Sequence, residues 1–236
     1  MRENGDLTKA LGRQDELKAE TIIEVLNLMK YDVVCLGESD FRLGVPYLQS
    51  LKARFKGAML CANVRAIGGG PLFEDRVIVS RETGGRKVRV GIVGVLSDQF
   101  ESQVRTLCPE TEMESASAAI ERLKADLVAN TDIRVLVYHG PKSEAEGIAK
   151  SNELFQLVLY AHAGDEPSKP EMVGSVMLAG GGQHGKTVSL ATFLGDPTWR
   201  VSGVTSKRLG PEFADGADVV TALKTYLQRV ASEDLL

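Results

Sequence analysis

Apolar positions recur along this chain with two different periods, and the change of period divides it. From residue 13 to 30, Leu17, Ile22, Val25, Leu26 and Met29 fall at three- and four-residue spacing, which predicts an amphipathic helix. Asp32 to Gly37 is a nearly continuous apolar run, the pattern of a short strand buried on both faces. Residues 45–55 predict a second helix and Ala58 to Val64 a second strand. After the loop Gly68-Gly69-Gly70-Pro71 the period shortens. Leu72 to Arg81 alternates in part, Gly84-Gly85 makes a turn, and Val88 to Val95 alternates before becoming apolar throughout. Ala116, Ala119, Ile120, Leu123 and Leu127 share one face of a helix at 114–129. A strand at Ile133 to Tyr138, a short helix at 142–151 and a strand at Phe155 to Tyr160 follow. Strands dominate from Val173 to Leu209, broken at Gly180-Gly181-Gly182, Gly195-Asp196-Pro197 and Gly203. A closing helix runs from Asp218 to Val230, with Asp218 as its N-cap.

Strand–helix alternation followed by a run of strands predicts an α/β layered domain with a mixed sheet. There is no internal repeat and no low-complexity segment. The 236 residues are 43% hydrophobic and 25% charged, an ordinary globular composition. A net charge of −4 supplies no basic field for nucleic acid. No apolar run approaches the roughly 18–20 residues of a membrane span, and no signal peptide is expected within the polar stretch Met1 to Gln14. Cys35 and Cys61 lie inside apolar runs and read as small buried hydrophobes. Cys108, before Pro109, is expected in an exposed loop without a base to activate it.

The candidate chemistry lies just after the buried strands, in Leu36-Gly37-Glu38, Val137-Tyr138-His139 and Leu159-Tyr160-Ala161-His162. Two-metal phosphoesterases draw carboxylate and imidazole ligands from several strand ends in this way. Taken singly, a histidine at a strand end is more often a hydrogen-bonded structural group than a ligand.

The wider pattern carries a resemblance. Gly5-Asp6, Tyr31-Asp32 with its strand, Gly37 to Gly44, Ala62-Asn63-Val64, Lys87 to Val95, His139, His162 and Gly180 to Gly185 together resemble the calcineurin-like metallophosphoesterases, in their bacterial 5′-nucleotidase branch. The resemblance runs from the start of the chain to near Gly195. It implies an α/β/β/α sandwich of two mixed sheets, with residues 1–236 as a single metallophosphoesterase-like domain. It also implies a metal site of Asp6, Glu38, His139 and His162, residue types suited to one divalent zinc, manganese or iron ion. Arg42, Asn63 and His184 would face the phosphate or the rest of the substrate.

Several family letters are changed. Glu38 replaces the metal-binding Asn, and Ser39 replaces the His that assists the leaving group. Asp40 and Arg42 stand for a Glu and an Asp, and Gly164 stands for the second His of the last motif. The family's opening Asp-x-His has no counterpart. The domain is therefore expected to be N-terminally truncated relative to the family, with a partner or another domain supplying the missing strand. The family's C-terminal nucleoside-binding domain is not expected in this chain. One metal position keeps four ligands and the other loses nearly all of its own. The expectation is a degenerate domain without efficient turnover, and the alternative is an active metal-dependent phosphomonoester or nucleotide hydrolase. Most of the family is exported, which this chain's polar start does not reproduce.

A second alternative comes from Gly180-Gly181-Gly182-Gln183-His184-Gly185-Lys186-Thr187, which matches the P-loop pattern letter for letter. A P-loop needs a helix N-terminus after the lysine to bind phosphate. The residues from Thr187 to Leu194 are β-rich and alternating, so a hairpin is expected there instead.

Overall fold

The structure is a computed structural model. It describes residues 2–4 (backbone only), 7, 12–164, 166–182, 185–195 and 198–235. In chain order the elements are β1 (Arg2–Asn4), α1 (Arg13–Leu28), β2 (Val33–Cys35), a 3-10 helix (Glu38–Leu43), α2 (Val45–Arg54), β3 (Ala58–Leu60), β4 (Val64–Ala66), β5 (Arg76–Thr83) and β6 (Arg86–Leu96). Then come α3 (Glu101–Leu107), β7 (Thr111–Met113), α4 (Ala116–Asn130), β8 (Ile133–His139), α5 (Lys142–Ser151), β9 (Leu157–Tyr160), β10 (Glu171–Val173), β11 (Val176–Gly180), β12 (Thr187–Gly195), β13 (Trp199–Arg208) and α6 (Ala217–Ser232).

Two sheets lie face to face. The first is a parallel three-stranded sheet in the order β1-β2-β3. The second has six strands in the order β10-β11-β9-β8-β6-β5. Its four central strands are parallel, and the edge strands β10 and β5 run antiparallel. Side chains alternate across this larger sheet, as the two-residue period of a strand requires. Val93, Val95, Leu136, Tyr138, Val158 and Leu178 point to the helices α4 and α5. Ile92 and Val137 point the other way, onto Val33, Cys35 and Leu60 of the small sheet. The small sheet's far face is covered by α1 and α2, through Ile23, Leu26, Leu48 and Leu51. The layers are thus α/β/β/α. The hairpin β12–β13 covers another part of the inner face of the large sheet with Phe193, Trp199 and Val201.

Gly94 explains how closely the sheets approach. A Cβ there would lie 2.7 Å from both Cys35 Sγ and Leu60 Cβ, nearer than van der Waals contact allows. No described helix is long and apolar enough to cross a membrane.

Four expectations change. The strand predicted over 58–64 is two pieces, because after Leu60 the chain leaves the small sheet and Val64–Ala66 pairs with β7 instead. Helix α3 is absent from the sequence pattern, being short and carrying one buried side chain, Val104. Cys108 is buried rather than exposed, with its thiol 3.3 Å from the Phe41 carbonyl oxygen. The N-cap of α6 is Gly216, and Asp218 lies in the first turn, where its charge suits the helix dipole. The P-loop alternative is also overturned. β12 starts at Thr187 and pairs antiparallel with β13, so no helix N-terminus follows Lys186.

Candidate metal centre

Glu38 reaches the site through a tightly held loop. β2 ends at Cys35 and the chain enters the 3-10 helix at Glu38. The Asp40 carboxylate, fully buried, accepts from the Gly37 N–H at 2.8 Å and from the Leu7 N–H at 2.6 Å. One side chain therefore caps the helix and ties the N-terminal segment to the loop. Phe41 anchors the loop in the core, edge-on to Phe73 with centroids 6.2 Å apart. Gly44 closes the loop at φ 76°, a conformation other residues rarely adopt.

His139 is the last residue of β8 and 2% exposed. Its carbonyl oxygen accepts from the Ser97 N–H at 2.9 Å. The following Gly140 is obligatory, since a Cβ would meet Tyr138 Cε1 at 2.6 Å and Ser97 Cβ at 2.7 Å. His162 lies just past β9 at φ 54°. This left-handed backbone costs a non-glycine residue on the order of 1 kcal/mol. The turn directs the imidazole back toward His139, leaving its side chain 38% exposed.

The three side chains converge on one point. His139 Nε2 lies 2.7 Å from Glu38 Oε2 and 3.2 Å from His162 Nε2, and His162 Nε2 lies 3.6 Å from Glu38 Oε2. Burial works to raise the Glu38 carboxyl, but the hydrogen bond and charge of His139, with help from His162, outweigh it. The carboxyl sits below its ordinary range. The cluster offers one carboxylate oxygen and two imidazole nitrogens, atom types that bind divalent cations. Tetrahedral cation–ligand bonds of about 2.0–2.2 Å hold neighbouring ligand atoms about 3.3–3.6 Å apart; the two His162 spacings lie close to that range, and the 2.7 Å Glu38–His139 hydrogen bond would have to open for a cation to enter. Among the described residues this is the group of His, Cys, Asp and Glu side chains close enough to hold a metal ion.

The remaining sequence candidates fall as follows. Asp6 and His184 lie outside the described residues. Ser39 is half-buried beside Glu38, Arg42 is exposed, and Gly164 is exposed at φ 93°. Asn63 is fully buried, and its amide clasps one residue: Nδ2 donates to the Leu96 carbonyl at 2.8 Å and Oδ1 accepts from the Leu96 N–H at 2.9 Å. It joins the end of the small sheet to the end of β6, and in this arrangement it positions the site loops.

Phe100 is not legible in the sequence. It sits at the end of a 3-10 turn, Asp98–Phe100, that Ser97 caps. Its ring lies 5.7 Å from the His162 ring and 6.2 Å from the His139 ring. Ser97 also donates to Glu144 Oε2 at 2.5 Å, and Tyr138 donates to the same oxygen. The one hint of this support is Ser97-Asp98 at the end of a buried strand, a helix-capping pair.

No family model matches the chain. Over 157 residues, 59% of this chain, it is 27% identical to the trifunctional nucleotide phosphoesterase protein YfkN of Bacillus subtilis strain 168. That match spans 10% of the relative's length. Among solved structures, the calcineurin-like phosphoesterase YfkN of Bacillus subtilis superposes with a TM-score of 0.81 at 15% identity, covering 98% of this chain and 84% of that one. The sulfate thiohydrolase SoxB of Thermus thermophilus gives 0.80 at 20% identity, over 98% of this chain and 43% of that one. A 5′-nucleotidase precursor, also of Thermus thermophilus, gives 0.79 at 20% identity, over 98% and 49%. The chain spans less than half of the last two. By these superpositions the chain has the fold of the calcineurin-like phosphoesterases.

Proposed function

We propose that this chain is a degenerate metallophosphoesterase domain that holds a single divalent cation on Glu38, His139 and His162 and lacks efficient phosphatase turnover. The observation that carries the reading is the convergence of three ligand atoms at 2.7, 3.2 and 3.6 Å, while Ser39 and Arg42 follow Glu38 in the sequence and Gly164 follows His162. Asp6, by its place in the sequence, is the candidate fourth ligand. A cation bound there would supply positive charge to a phosphate oxygen. Glu38 and His139 would fix it from buried positions, and His162 would close the solvent side. A second cation has few ligands left to it: Ser39 and Arg42 offer no imidazole or carboxylate. Ser39 also cannot act as a cationic acid near neutral pH, as an imidazole can. Zinc, manganese and iron all suit the two imidazoles and carboxylate.

A second reading, a working phosphomonoester or nucleotide hydrolase, draws on the likeness to a nucleotide phosphoesterase. Two histidines and a glutamate also form the ligand set of some one-zinc hydrolases. Elemental analysis of the purified chain, with phosphomonoester and nucleotide hydrolysis assayed in added Mn²⁺ or Zn²⁺, separates the two. The degenerate reading expects at most one metal per chain and no hydrolysis above that of the His139→Ala variant. Two metals per chain, or turnover that His139→Ala abolishes, would overturn it.

A further inference from the structure

Of the three converging side chains, Glu38 and His139 are buried and held at strand ends, whereas His162 is not. It follows β9 in a loop, its backbone is left-handed, and its imidazole is part exposed. Something else must keep that ring aimed at its neighbours. Besides its contacts to His139 and Glu38, the ring meets Phe100 among the described residues: the Phe100 ring tilts 37° against His162 and 49° against His139, while the two imidazoles meet edge-on with centroids 4.9 Å apart. The three rings form one packed cluster.

Phe100 is itself well fixed. Its N–H donates to the Ser97 carbonyl at 3.1 Å, and Ser97 Oγ accepts from the Gln99 N–H at 3.2 Å. Asp98 Oδ1 accepts from the Ala116 N–H at 2.7 Å, which ties the turn to the start of α4. The Ser97 N–H, bonded to the His139 carbonyl, couples the same turn to the strand end that carries His139. Phe100 is also part-buried and packs against the core cluster that holds Phe41 and Leu96. A well-bonded turn therefore presents an aromatic ring to both histidines, and His162, the more exposed of the two, depends on it most.

We infer that Phe100 is a positioning residue: its ring holds the His162 imidazole against His139 and Glu38, and so sets the affinity of the centre for a cation. The effect on affinity rests on the single-cation reading above. Groups that orient metal ligands typically change affinity ten- to a hundred-fold when removed.

The experiment uses the full chain in two measurements. In the metal-free protein, nuclear Overhauser contacts between the His139 and His162 rings report their mutual orientation. In parallel, Zn²⁺ is titrated against a chromophoric chelator. Phe100→Ala is expected to lose the ring–ring contact and to bind Zn²⁺ ten- to a hundred-fold more weakly, while Phe100→Tyr keeps both near the parent values. If Phe100→Ala does not melt cooperatively, Phe100→Leu carries the same comparison. An unchanged ring contact and an unchanged Zn²⁺ affinity in a folded variant would overturn the inference. A parent chain that takes up no Zn²⁺, yet loses the ring contact on Phe100→Ala, would overturn the single-cation reading and leave the positioning role standing.

Discussion

Replacing Asn63 distinguishes a positioning residue from a substrate contact. In Asn63→Ala, the Leu96 N–H and C=O each lose their Asn63 partner at a fully buried position. Each buried backbone group left unsatisfied costs about 1–3 kcal/mol. With partial relaxation the sum is about 3 kcal/mol, or a fall in melting temperature of roughly 6–12 °C for a chain of this size. Asn63→Asp sharpens the test. Its carboxylate still accepts from the Leu96 N–H but faces the Leu96 carbonyl oxygen, to which only the protonated acid can donate. Burial and this repulsion raise the folded-state pKa above the ordinary value of about 3.9. A raised acid costs little below its unfolded pKa, and the cost grows as pH climbs toward the folded pKa. Asn63→Asp is therefore expected to lie closest to the parent near pH 4 and to fall away toward pH 7. Urea unfolding at both pH values measures this. Should Asn63→Ala unfold within about 0.5 kcal/mol of the parent, a spread typical of surface changes, the clasp has no energetic role and the reasoning fails.

Glu20 links three helices, accepting from Tyr47 at 2.9 Å and Arg229 at 3.0 Å, with Arg54 at 3.3 Å. Burial works to raise its carboxyl, but these donors overcome it and hold the pKa below the usual 4.5. A lowered carboxylate stabilises the fold above its unfolded pKa, and that contribution is lost as pH falls through the folded value. With part-exposed arginines, Glu20→Gln is expected to cost about 1 kcal/mol at pH 7 and nothing at strongly acid pH; a gap that widens on acidification in thermal melts would contradict this. The thiols make a separate prediction. Burial raises Cys35 well above the ordinary range, Cys61 to about 12 and Cys108 to about 11. All three are expected to resist a thiol reagent in native buffer and to react together in denaturant, whereas fast labelling of any of them in the native protein would count against their burial.

The sandwich is legible because its elements carry their periods openly. α1 and α4 repeat apolar residues at helical spacing, β2 is a continuous apolar run, and β8 is apolar from Val135 to Tyr138, which matches their doubly buried positions. Gly37, Phe41 and Gly44 mark the loop that presents Glu38, and the structure gives each a physical task. What escapes is long-range or short. Phe100 meets His162 across 62 positions of sequence, and no local pattern announces such a contact. Asp40 reads as a changed family letter, yet it caps the loop and holds Leu7. Cys108 reads as exposed because Pro109 follows it, whereas α3, too short to show a period, folds it inward.

The close approach of the sheets at Gly94 has a bearing on how the molecule assembles. Glu38 follows a strand of the small sheet, while His139 ends a strand of the large one and His162 follows another. Neither sheet alone contains the centre, and it comes into being only when the two have docked. Parallel strands joined by helical crossovers pair late and slowly. The Glu38–His139 bond is therefore a marker of sheet docking. A cation taken up there would bind the docked state alone, and would raise its stability in proportion to the logarithm of free cation over the dissociation constant.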